Sequence, residues 1–455
     1  MNRREFVKFT AGMTVGTMVT SHMVTAQQTG GGEQRWSFTP DGEVGSPPTV
    51  KNGIVYVGCT DNNLYAIDAE TGDPHWTFET SDNVHWPAVA NETVYVGSDD
   101  ANLYAVDANS GDQQWVFSTS NSVLSSPTVA NGTVYAWNTN STLYAVDVDS
   151  GEQQWLFEAG DTFLSSPVVA NGTIYFGSDD ANLYAVDADS GEQQWAFETG
   201  DMILSSPTIA SGTIYVGSYD NKLHAIDADT GEQRWAFETD DVLFSSPSVS
   251  NGTVYIGSYD SNLYAVNTDS GEQRWVFETN DVIFSSPAVA GGSVFIGSND
   301  NNLYAVDADT GIQQWAFETG DSVSLSPTVA DGSVYVGSQD GNLYAVTAGM
   351  PQTPTSTGTP VPTPTQTAEQ TQSSTTSPTP TPTDTPSPKS TDTQNSPATS
   401  SSQERPTTAN PSGGVSEFLK RIVRSILSTE ALLIQGAAVL AGIIWYGWPE
   451  DDDGQ

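Results

Sequence analysis

The chain runs Ser206-Pro207-Thr208-Ile209-Ala210, then Thr213 to Ser218, then Leu223 to Ala228, and then Gly231-Glu232-Gln233-Arg234-Trp235-Ala236-Phe237. Near-copies of this unit fill most of the 455-residue sequence, with tryptophans 40 residues apart and one interval of 39. These tryptophans are Trp36, Trp76, Trp115, Trp155, Trp195, Trp235, Trp275 and Trp315. A repeat period near 40 residues is typical of the blades of a β-propeller.

Each piece of the unit has the composition of a short β-strand. Ile214-Tyr215-Val216 and Trp195-Ala196-Phe197 are β-branched, aromatic and alternating, and Gly, Asn, Asp and Ser flank them. Asn131-Gly132 and its equivalents occupy the place of a two-residue type I′ turn, which needs positive φ. Helix signals are absent from this region, so the unit predicts an all-β fold with four-stranded blades.

The two ends of the array predict how it closes. The last copy supplies Leu343-Tyr344-Ala345-Val346 but lacks a Trp strand, whereas Arg35-Trp36-Ser37-Phe38 precedes the first complete copy. Pairing this N-terminal strand with the last blade hides two sheet edges. Residues 33–349 are therefore expected to form a closed eight-bladed β-propeller.

The N-terminal segment has the features of an export signal. Arg3-Arg4 is followed by Phe6 and Lys8, and then by a weakly apolar stretch that ends in Val24-Thr25-Ala26. We interpret residues 1–26 as a twin-arginine-type signal peptide, because the stretch is too weakly apolar for a spanning helix. This interpretation predicts that the propeller is exported.

The C-terminal segments predict a tether to a membrane. Residues 350–414 are rich in Thr, Pro and Ser and predict a disordered stalk whose hydroxyls suit O-glycosylation. Residues 415–428 have the pattern of an amphipathic interfacial helix, residues 431–448 that of a transmembrane anchor with an aromatic end, and residues 449–455 form an acidic tail. We therefore expect a cell-surface propeller anchored by its C-terminal helix.

One feature opposes this orientation. Export would leave Lys420, Arg421 and Arg424 outside the cell and the acidic tail inside, which reverses the positive-inside tendency. The arginine pair of the signal and the stalk favour the outside location, and the basic residues are suited to contact anionic lipid headgroups.

The charge balance restricts the partners. The chain has 56 acidic and 13 basic residues, a net charge of −43 and a sequence pI of about 4.1. Molar salt shortens the Debye length to roughly 3 Å and screens such self-repulsion, so the composition indicates a halophilic protein. Nucleic acid is disfavoured as a partner because phosphate binding needs a basic face. The lone cysteine, Cys59, excludes an intramolecular disulfide.

The motif from Leu183 to Trp195 resembles the pyrroloquinoline-quinone-type propeller repeat, with a third strand that ends in an Ala-x-Asp pattern and a turn that leads into Gly-x-x-x-Trp. The resemblance covers essentially residues 33–349. It implies a structural role for the eight tryptophans, which in that family lock neighbouring blades together. The repeat also builds quinoprotein alcohol dehydrogenases, the propeller lipoprotein of the outer-membrane barrel assembly machinery and sensor domains.

Two observations indicate a propeller without catalysis. The dehydrogenases carry an adjacent cysteine pair against the quinone, whereas this chain has one cysteine. An active site needs several different groups at one point, whereas near-identical blades offer the same groups eight times. We expect a non-catalytic protein-binding or envelope scaffold with no cofactor, a monomeric propeller, and an unknown envelope protein or glycan as partner. A quinone-dependent dehydrogenase and a carbohydrate-binding propeller are the alternatives.

The loops that enter each first strand predict a binding face. Each of these loops carries a pair of apolar residues, and the neighbouring loops contribute acidic residues around them. One member of each pair is expected between blades and the other in an apolar ring around the axial mouth, with both in the core as the alternative. The candidate residues are Phe163, Leu164, Ile203, Leu204, Leu243, Phe244, Ile283 and Phe284, with Asp180, Asp220, Asp260 and Asp340 as the rim.

Smaller signals concern modification and metals. Sequons for N-glycosylation occur at Asn91, Asn131, Asn140, Asn171 and Asn251. Departures from the repeat gather early in the array, at His75, His85, Trp86 and Trp137, with His224 later. Their spacing matches no known metal site, so we expect no bound metal.

Overall fold

The computed structural model describes residues 30–160 and 165–349, and within them every regular element is a β-strand. The first sixteen are β1 (Gln34–Phe38), β2 (Thr49–Lys51), β3 (Ile54–Gly58), β4 (Asn63–Asp68), β5 (Pro74–Glu79), β6 (Ala88–Ala90), β7 (Thr93–Gly97), β8 (Asn102–Asp107), β9 (Gln113–Ser118), β10 (Thr128–Ala130), β11 (Thr133–Asn138), β12 (Thr142–Asp147), β13 (Gln153–Glu158), β14 (Val168–Ala170), β15 (Thr173–Gly177) and β16 (Asn182–Asp187). The rest are β17 (Gln193–Glu198), β18 (Thr208–Ala210), β19 (Thr213–Gly217), β20 (Lys222–Asp227), β21 (Gln233–Glu238), β22 (Ser248–Ser250), β23 (Thr253–Gly257), β24 (Asn262–Asn267), β25 (Gln273–Glu278), β26 (Ala288–Ala290), β27 (Ser293–Gly297), β28 (Asn302–Asp307), β29 (Gln313–Glu318), β30 (Thr328–Ala330), β31 (Ser333–Gly337) and β32 (Leu343–Thr347).

These strands form eight four-stranded antiparallel sheets, which are the blades. Blade 1 is β2 to β5, and each of blades 2 to 7 takes the next four strands, so that blade 5 is β18 to β21. The first strands of neighbouring blades contact one another, as β18 and β22 do, and therefore surround the central axis. The predicted all-β eight-bladed propeller is confirmed.

Blade 8 closes the ring with strands from both ends of the array. Its order is β1-β32-β31-β30, and Trp36 pairs with Ala345 and Phe38 with Leu343. Next to this ladder, the amide of Gly32 donates to the carbonyl of Thr347 at 2.9 Å. The predicted closure by the N-terminal strand is confirmed, and blade 8 has the same strand count as every other blade.

The tryptophan of each fourth strand joins its blade to the next. Trp195 of blade 4 donates from Nε1 to the carbonyl of Ala228 in blade 5 at 3.3 Å, and the hydroxyl of Tyr175 in blade 4 donates to that carbonyl at 3.2 Å. The rings of Tyr175 and Trp195 lie 5.8 Å apart. A single carbonyl therefore receives two aromatic donors across the blade boundary, which satisfies the polar atoms of rings that are otherwise buried.

A glycine of the following blade lies against each tryptophan. A Cβ atom on Gly231, whose φ is +72°, would lie 2.8 Å from the Trp195 ring. Gly32 takes this place for Trp315, although it precedes the first blade in sequence. The glycine is required twice over, by the positive φ and by the close approach of the indole.

The apolar core is divided between the blade interfaces. In one such cluster Tyr175, Leu183 and Ala185 of blade 4 pack against Ile214 and Val216 of blade 5. The middle strands are buried along their whole length, as the pattern of β19 shows, whereas the fourth strands alternate with exposed positions. This matches a sheet that is covered on both faces by its neighbours and open at its outer edge.

The antiparallel topology defines two faces of the propeller. The turns between first and second strands and between third and fourth strands lie on one face, together with Gly30 and Gly349, the first and last described residues, and we call it the termini face. The opposite face carries the turns between second and third strands and the connections from blade to blade, and we call it the junction face. Gly30 and Gly349 therefore lie on the face opposite the predicted binding loops.

Several predicted segments lie outside the described residues. They are the signal peptide 1–26, the stalk 350–414, the amphipathic helix 415–428, the transmembrane anchor 431–448 and the acidic tail 449–455. Across residues 30–160 and 165–349, no helix has the length and apolar character needed to cross a membrane.

Replacing Gly231 with alanine tests the contact between tryptophan and glycine. We expect Gly231→Ala to lower the free energy of unfolding by roughly 1–3 kcal/mol beyond the cost of the positive φ, because the new methyl overlaps the Trp195 ring. Gly212→Ala is the matched control, since Gly212 has the same φ of +72° and nothing near its Cβ position. The left-handed conformation alone costs about 1–2 kcal/mol.

Denaturant unfolding of both variants measures the difference. Equal losses of stability in Gly231→Ala and Gly212→Ala would show that the indole contact adds no constraint.

Candidate protein-binding face

The paired apolar residues of the junction loops divide between the core and the mouth. Ile203, Leu243 and Ile283 are fully buried in the interfaces between blades. The following residues, Leu204, Phe244 and Phe284, are half-buried. Phe163 and Leu164, the equivalent pair in blade 4, lie outside the described residues. The structure thus places the two members of each described pair in different environments.

Four rings form a continuous aromatic cluster, which we define as Tyr219, Phe244, Tyr259 and Phe284. The ring centroids of Tyr219 and Phe244 lie 4.7 Å apart, those of Phe244 and Phe284 5.1 Å, and those of Tyr259 and Phe284 5.4 Å. All three contacts are edge-to-face, an arrangement that aromatic rings favour. The cluster belongs to the junction loops of blades 5 to 7, so it breaks the eightfold equivalence of the face.

Sequence reasoning missed Tyr219 and Tyr259. Both follow the serine that ends a second strand, in the stretch Gly-Ser-Tyr-Asp, where other blades carry residues such as Asp99, Asn299 or Gln339. The substitution of tyrosine at this position in two adjacent blades was the available signal. Burial and nearby carboxylates, including Asp201 and Asp241, raise the pKa of the Tyr219 phenol well above its usual value.

The aspartates predicted to rim the mouth are engaged within the fold. Oδ2 of Asp180 accepts a hydrogen bond from the Tyr184 hydroxyl at 2.6 Å, and Asp260 and Asp340 accept equivalent bonds from tyrosines at 2.8 and 2.7 Å. Burial and the hydrogen bond to Asp180 raise the pKa of Tyr184 to about 12. These carboxylates stabilise the turns. Other acidic side chains on this face are therefore better placed to contact a partner.

Those other acids lie beside the half-buried apolar residues. Asp201, Asp241 and Asp281 precede the pairs in the loops that enter blades 5, 6 and 7, and Asp201 and Asp281 are exposed. Oδ1 of each accepts the amide of the next residue at 2.8 Å, and no bond to Oδ2 is found within the described part of the chain. Each aspartate therefore presents one carboxylate oxygen beside the aromatic cluster.

Asp220 has a different partner, because histidine replaces tyrosine in blade 5. His224 is buried, its Nε2 lies 3.0 Å from Oδ2 of Asp220, and its Nδ1 lies 3.1 Å from Oε1 of Gln233. Burial alone would raise the pKa of Asp220, but His224, the Gly200 amide and Lys222 lower it, and the net pKa lies below the usual value.

A chain of serines connects the innermost loops of blades 4 to 8. The Ser206 amide donates to Oγ of Ser246 at 2.9 Å, and the Ser246 amide donates to Oγ of Ser286 at 2.9 Å. Pro47 and Trp86 take the corresponding positions in blades 1 and 2. The serine-linked part of the axial ring, from blade 4 to blade 8, therefore includes blades 5 to 7, which carry the aromatic cluster.

The mouth near blade 2 differs in chemistry. Nε2 of His85 lies 2.9 Å from Oδ1 of Asp99, and the Asn83 side chain donates to Oδ2 of Asp99 at 3.1 Å. Burial acts to raise the pKa of Asp99, but His85 and Asn83 outweigh it and the pKa lies below its usual value. Both carboxylate oxygens of Asp99 are used within the fold, so this pair holds the loop in place.

The termini face carries a shallow cavity of about 280 Å³ between blades 5 and 6, lined by Tyr215, Arg234 and Asp269 among others. Arg234 pairs with Asp227 at 2.7 Å and donates to Thr213 at 2.6 Å. Its charge is therefore already matched. Within residues 30–160 and 165–349, no three His, Cys, Asp or Glu side chains are grouped so that they could hold a metal ion.

The five sequons lie on exposed asparagines. Asn131 and Asn171 begin hairpin turns on the termini face with φ of 51° and 52°, and the sequon threonines Thr133 and Thr173 are buried and bonded to glutamine side chains. The asparagines are accessible, whereas the threonines serve the fold. Their glycosylation stays a prediction.

The fold defines this chain as an eight-bladed β-propeller of four-stranded blades. Residues 8–86 and 81–168 match a family model described as outer membrane protein assembly factor BamB. Residues 170–357 match one described as the beta-propeller of beta-alanine-activating enzyme. A stretch of 47 residues is 45% identical to the outer membrane protein assembly factor BamB of Burkholderia pseudomallei, and it covers 10% of this chain and 12% of that protein.

Solved structures share the fold at low sequence identity. BamB from Moraxella catarrhalis aligns with a TM-score of 0.62 at 18% identity, over 69% of this chain and 99% of its own. Quinohemoprotein alcohol dehydrogenase from Comamonas testosteroni aligns with a TM-score of 0.58 at 18% identity, over 70% and 77%. The computationally designed Ika8 protein aligns with a TM-score of 0.63 at 14% identity, over 70% and 100%. Likeness at these identities concerns the fold alone.

The contact between Asp220 and His224 predicts a dependence of stability on pH. Because the pKa of Asp220 is lowered in the folded state, its contribution is present above the unfolded pKa of about 4 and is lost as the pH falls through the folded value. Asp220→Asn should therefore lower the free energy of unfolding at neutral pH and cost less in acid. Urea unfolding at the two pH values measures this.

His224→Tyr is the companion variant, since it restores the residue of the other blades. It keeps a hydrogen-bond donor for Asp220 but no positive charge, so its stability should change less on acidification than that of the parent chain. A loss in Asp220→Asn that is the same at both pH values would contradict the prediction.

Proposed function

We propose that this chain is a non-catalytic, protein-binding propeller of the cell envelope that contacts its partner through the junction face of blades 5 to 7. The observation that carries the proposal is the aromatic cluster, in which Phe244 and Phe284 stay half-buried at the mouth. Adjacent half-exposed aromatic rings are enriched at protein interfaces, since they bury large area at low entropic cost.

The position of the chain ends supports the proposal. Gly30 and Gly349 lie on the termini face, opposite the aromatic cluster. A tether attached there leaves the junction face open to a partner. The export signal, stalk and membrane anchor predicted from the sequence complete the proposed arrangement, as a surface module held at the membrane by its C-terminal helix in a halophilic cell.

The similarity to BamB also favours a protein-binding role, because that relative is an outer membrane protein assembly factor. The matched stretch covers only 12% of the relative's length. Its role therefore supports the class of function and leaves the partner of this chain to be identified.

A quinone-dependent dehydrogenase is the second candidate, favoured by the fold shared with quinohemoprotein alcohol dehydrogenase. The single cysteine argues against it. Cys59 is fully buried at a strand end of blade 1, where burial raises the pKa of its thiol. A thiol in this environment packs as a small apolar residue and is poorly suited to contact a cofactor.

Charged substitutions at the cluster test the proposed interface. In crosslinking experiments on intact cells, we expect a chain that carries both Phe244→Asp and Phe284→Asp to lose the partner that crosslinks to the parent chain. The reason is that loss of a central aromatic residue costs roughly 2 kcal/mol or more of binding free energy. Val276→Asp is the control, because Val276 is 44% exposed on the outer strand of blade 6. Circular dichroism checks that each variant is folded.

An unchanged set of crosslinked partners in the double variant would overturn the proposed face. Loss of the partner in Val276→Asp as well would indicate a general effect of added charge.

The dehydrogenase alternative has its own test. Titration of the purified chain in molar salt with pyrroloquinoline quinone and Ca²⁺, followed by absorbance and dye-linked alcohol oxidation, is expected to give neither stoichiometric binding nor turnover. Stoichiometric binding with turnover would replace the scaffold proposal with an enzyme.

A further inference from the structure

We propose that the aromatic cluster and the aspartates beside it bind a lysine or arginine side chain from an apolar and basic segment of the partner protein. The proposal rests on the protein-binding function above and specifies the chemistry of the partner. It is carried by a tyrosine hydroxyl that has no hydrogen bond within the described residues, by an unmatched acceptor at the mouth, and by the charge of the surrounding loops.

The first observation is the hydroxyl of Tyr219. This residue is only 6% exposed, and its ring is held against Phe244. No hydrogen bond to its hydroxyl is found among the described residues, so the fold leaves the donor and the acceptor capacity of this oxygen unused. Tyr104 is comparably buried, yet its hydroxyl donates to Asp100 at 2.7 Å. A hydroxyl without a partner in the fold, next to a half-open aromatic surface, is available to a ligand.

The second observation is an unmatched acceptor one blade further round. Oδ1 of Asn299, which occupies in blade 7 the position of Tyr219 and Tyr259, is buried without a hydrogen-bond partner. Burying such an oxygen without a donor costs free energy. Blade 7, which contributes the loop that carries Phe284, therefore also holds a buried acceptor that the fold leaves without a donor.

The third observation is the excess of acceptors. Burial raises the pKa of the Tyr219 phenol, and Asp179, Tyr259, Asp201 and Asp241 raise it further. Burial, Asp241 and Asp281 raise the pKa of the Tyr259 phenol. Five lysines and arginines occur in the described part of the chain, and of these only Lys222 lies on the junction face, 3.9 Å from Asp220. The mouth lacks cations of its own.

These groups together select a cation. Carboxylates and aromatic faces both attract ammonium and guanidinium groups, and guanidinium offers several donors to unmatched acceptors. Anionic ligands would be repelled by the same loops. The apolar surface of Phe244 and Phe284 then accommodates the apolar side chains that flank the basic residue.

A peptide titration tests the proposal on the full-length chain. The probe is a synthetic peptide with two arginines between leucines, and the matched control peptide carries citrulline in place of arginine, which keeps the shape and removes the charge. We expect the arginine peptide to bind about tenfold more tightly in isothermal titration calorimetry, and its affinity to fall as salt is added.

Three variants locate the binding. Asp241→Asn should weaken the arginine peptide several-fold, while Asp321→Asn, the same loop position before blade 8, should leave its affinity unchanged. Both substitutions keep the Oδ1 acceptor that each loop uses, for Val242 and for Ser322. Phe244→Leu should also weaken binding, and it introduces the residue already present at the equivalent Leu204, so the fold is expected to tolerate it.

Equal affinity for the arginine and citrulline peptides, or equal effects of Asp241→Asn and Asp321→Asn, would overturn the cation proposal. Binding of a neutral glycan in place of either peptide would overturn it as well. If crosslinking to the partner still depends on Phe244 and Phe284 in that case, the protein-binding function stands without the cation; if it does not, both proposals fail.

Discussion

The contact of each tryptophan with the next blade is the constraint on which the rest of the structure depends. It requires a glycine at positive φ beneath the indole and a carbonyl within reach of Nε1, and it recruits a tyrosine hydroxyl to the same carbonyl. Because every blade both offers a tryptophan and receives one, no blade buries its face alone. The N-terminal strand must therefore return to the last blade, and Gly32 completes the final contact with Trp315.

The acidity of the chain is in part structural. In most turns between third and fourth strands an aspartate such as Asp187 accepts amide and hydroxyl hydrogen bonds, and the donors from Ser190 lower its pKa. In most junction turns another aspartate, such as Asp300, accepts a tyrosine hydroxyl at 2.7 Å. The carboxylates of Asp187 and Asp300 therefore stabilise turns through neutral donors. Net charge and turn stability are thus linked in the same residues.

The sequence predicted the fold well because each feature that defines the fold can be recognised in a short stretch of the chain. The tryptophan period, the hairpin turns and the unpaired strand of Trp36 each follow from a short stretch, and each was found where expected. The aromatic cluster was harder to predict, because Phe244 and Phe284 are 40 residues apart and meet only through the rotation between blades. Tyr219 and Asp180 show the same limit, since the geometry of the turn decides which polar group is bonded internally and which is left for a ligand.

Ring closure has a mechanical consequence. β32 is the last strand before the chain leaves the propeller, and it lies inside its sheet, with β31 on one side and β1 on the other. A pull on the polypeptide after Gly349 is therefore resisted by two hydrogen-bonded ladders at once. The N-terminal strand that closes the ring thus also covers the outer edge of β32, so the last strand of the propeller cannot be pulled away from its sheet by breaking one ladder alone.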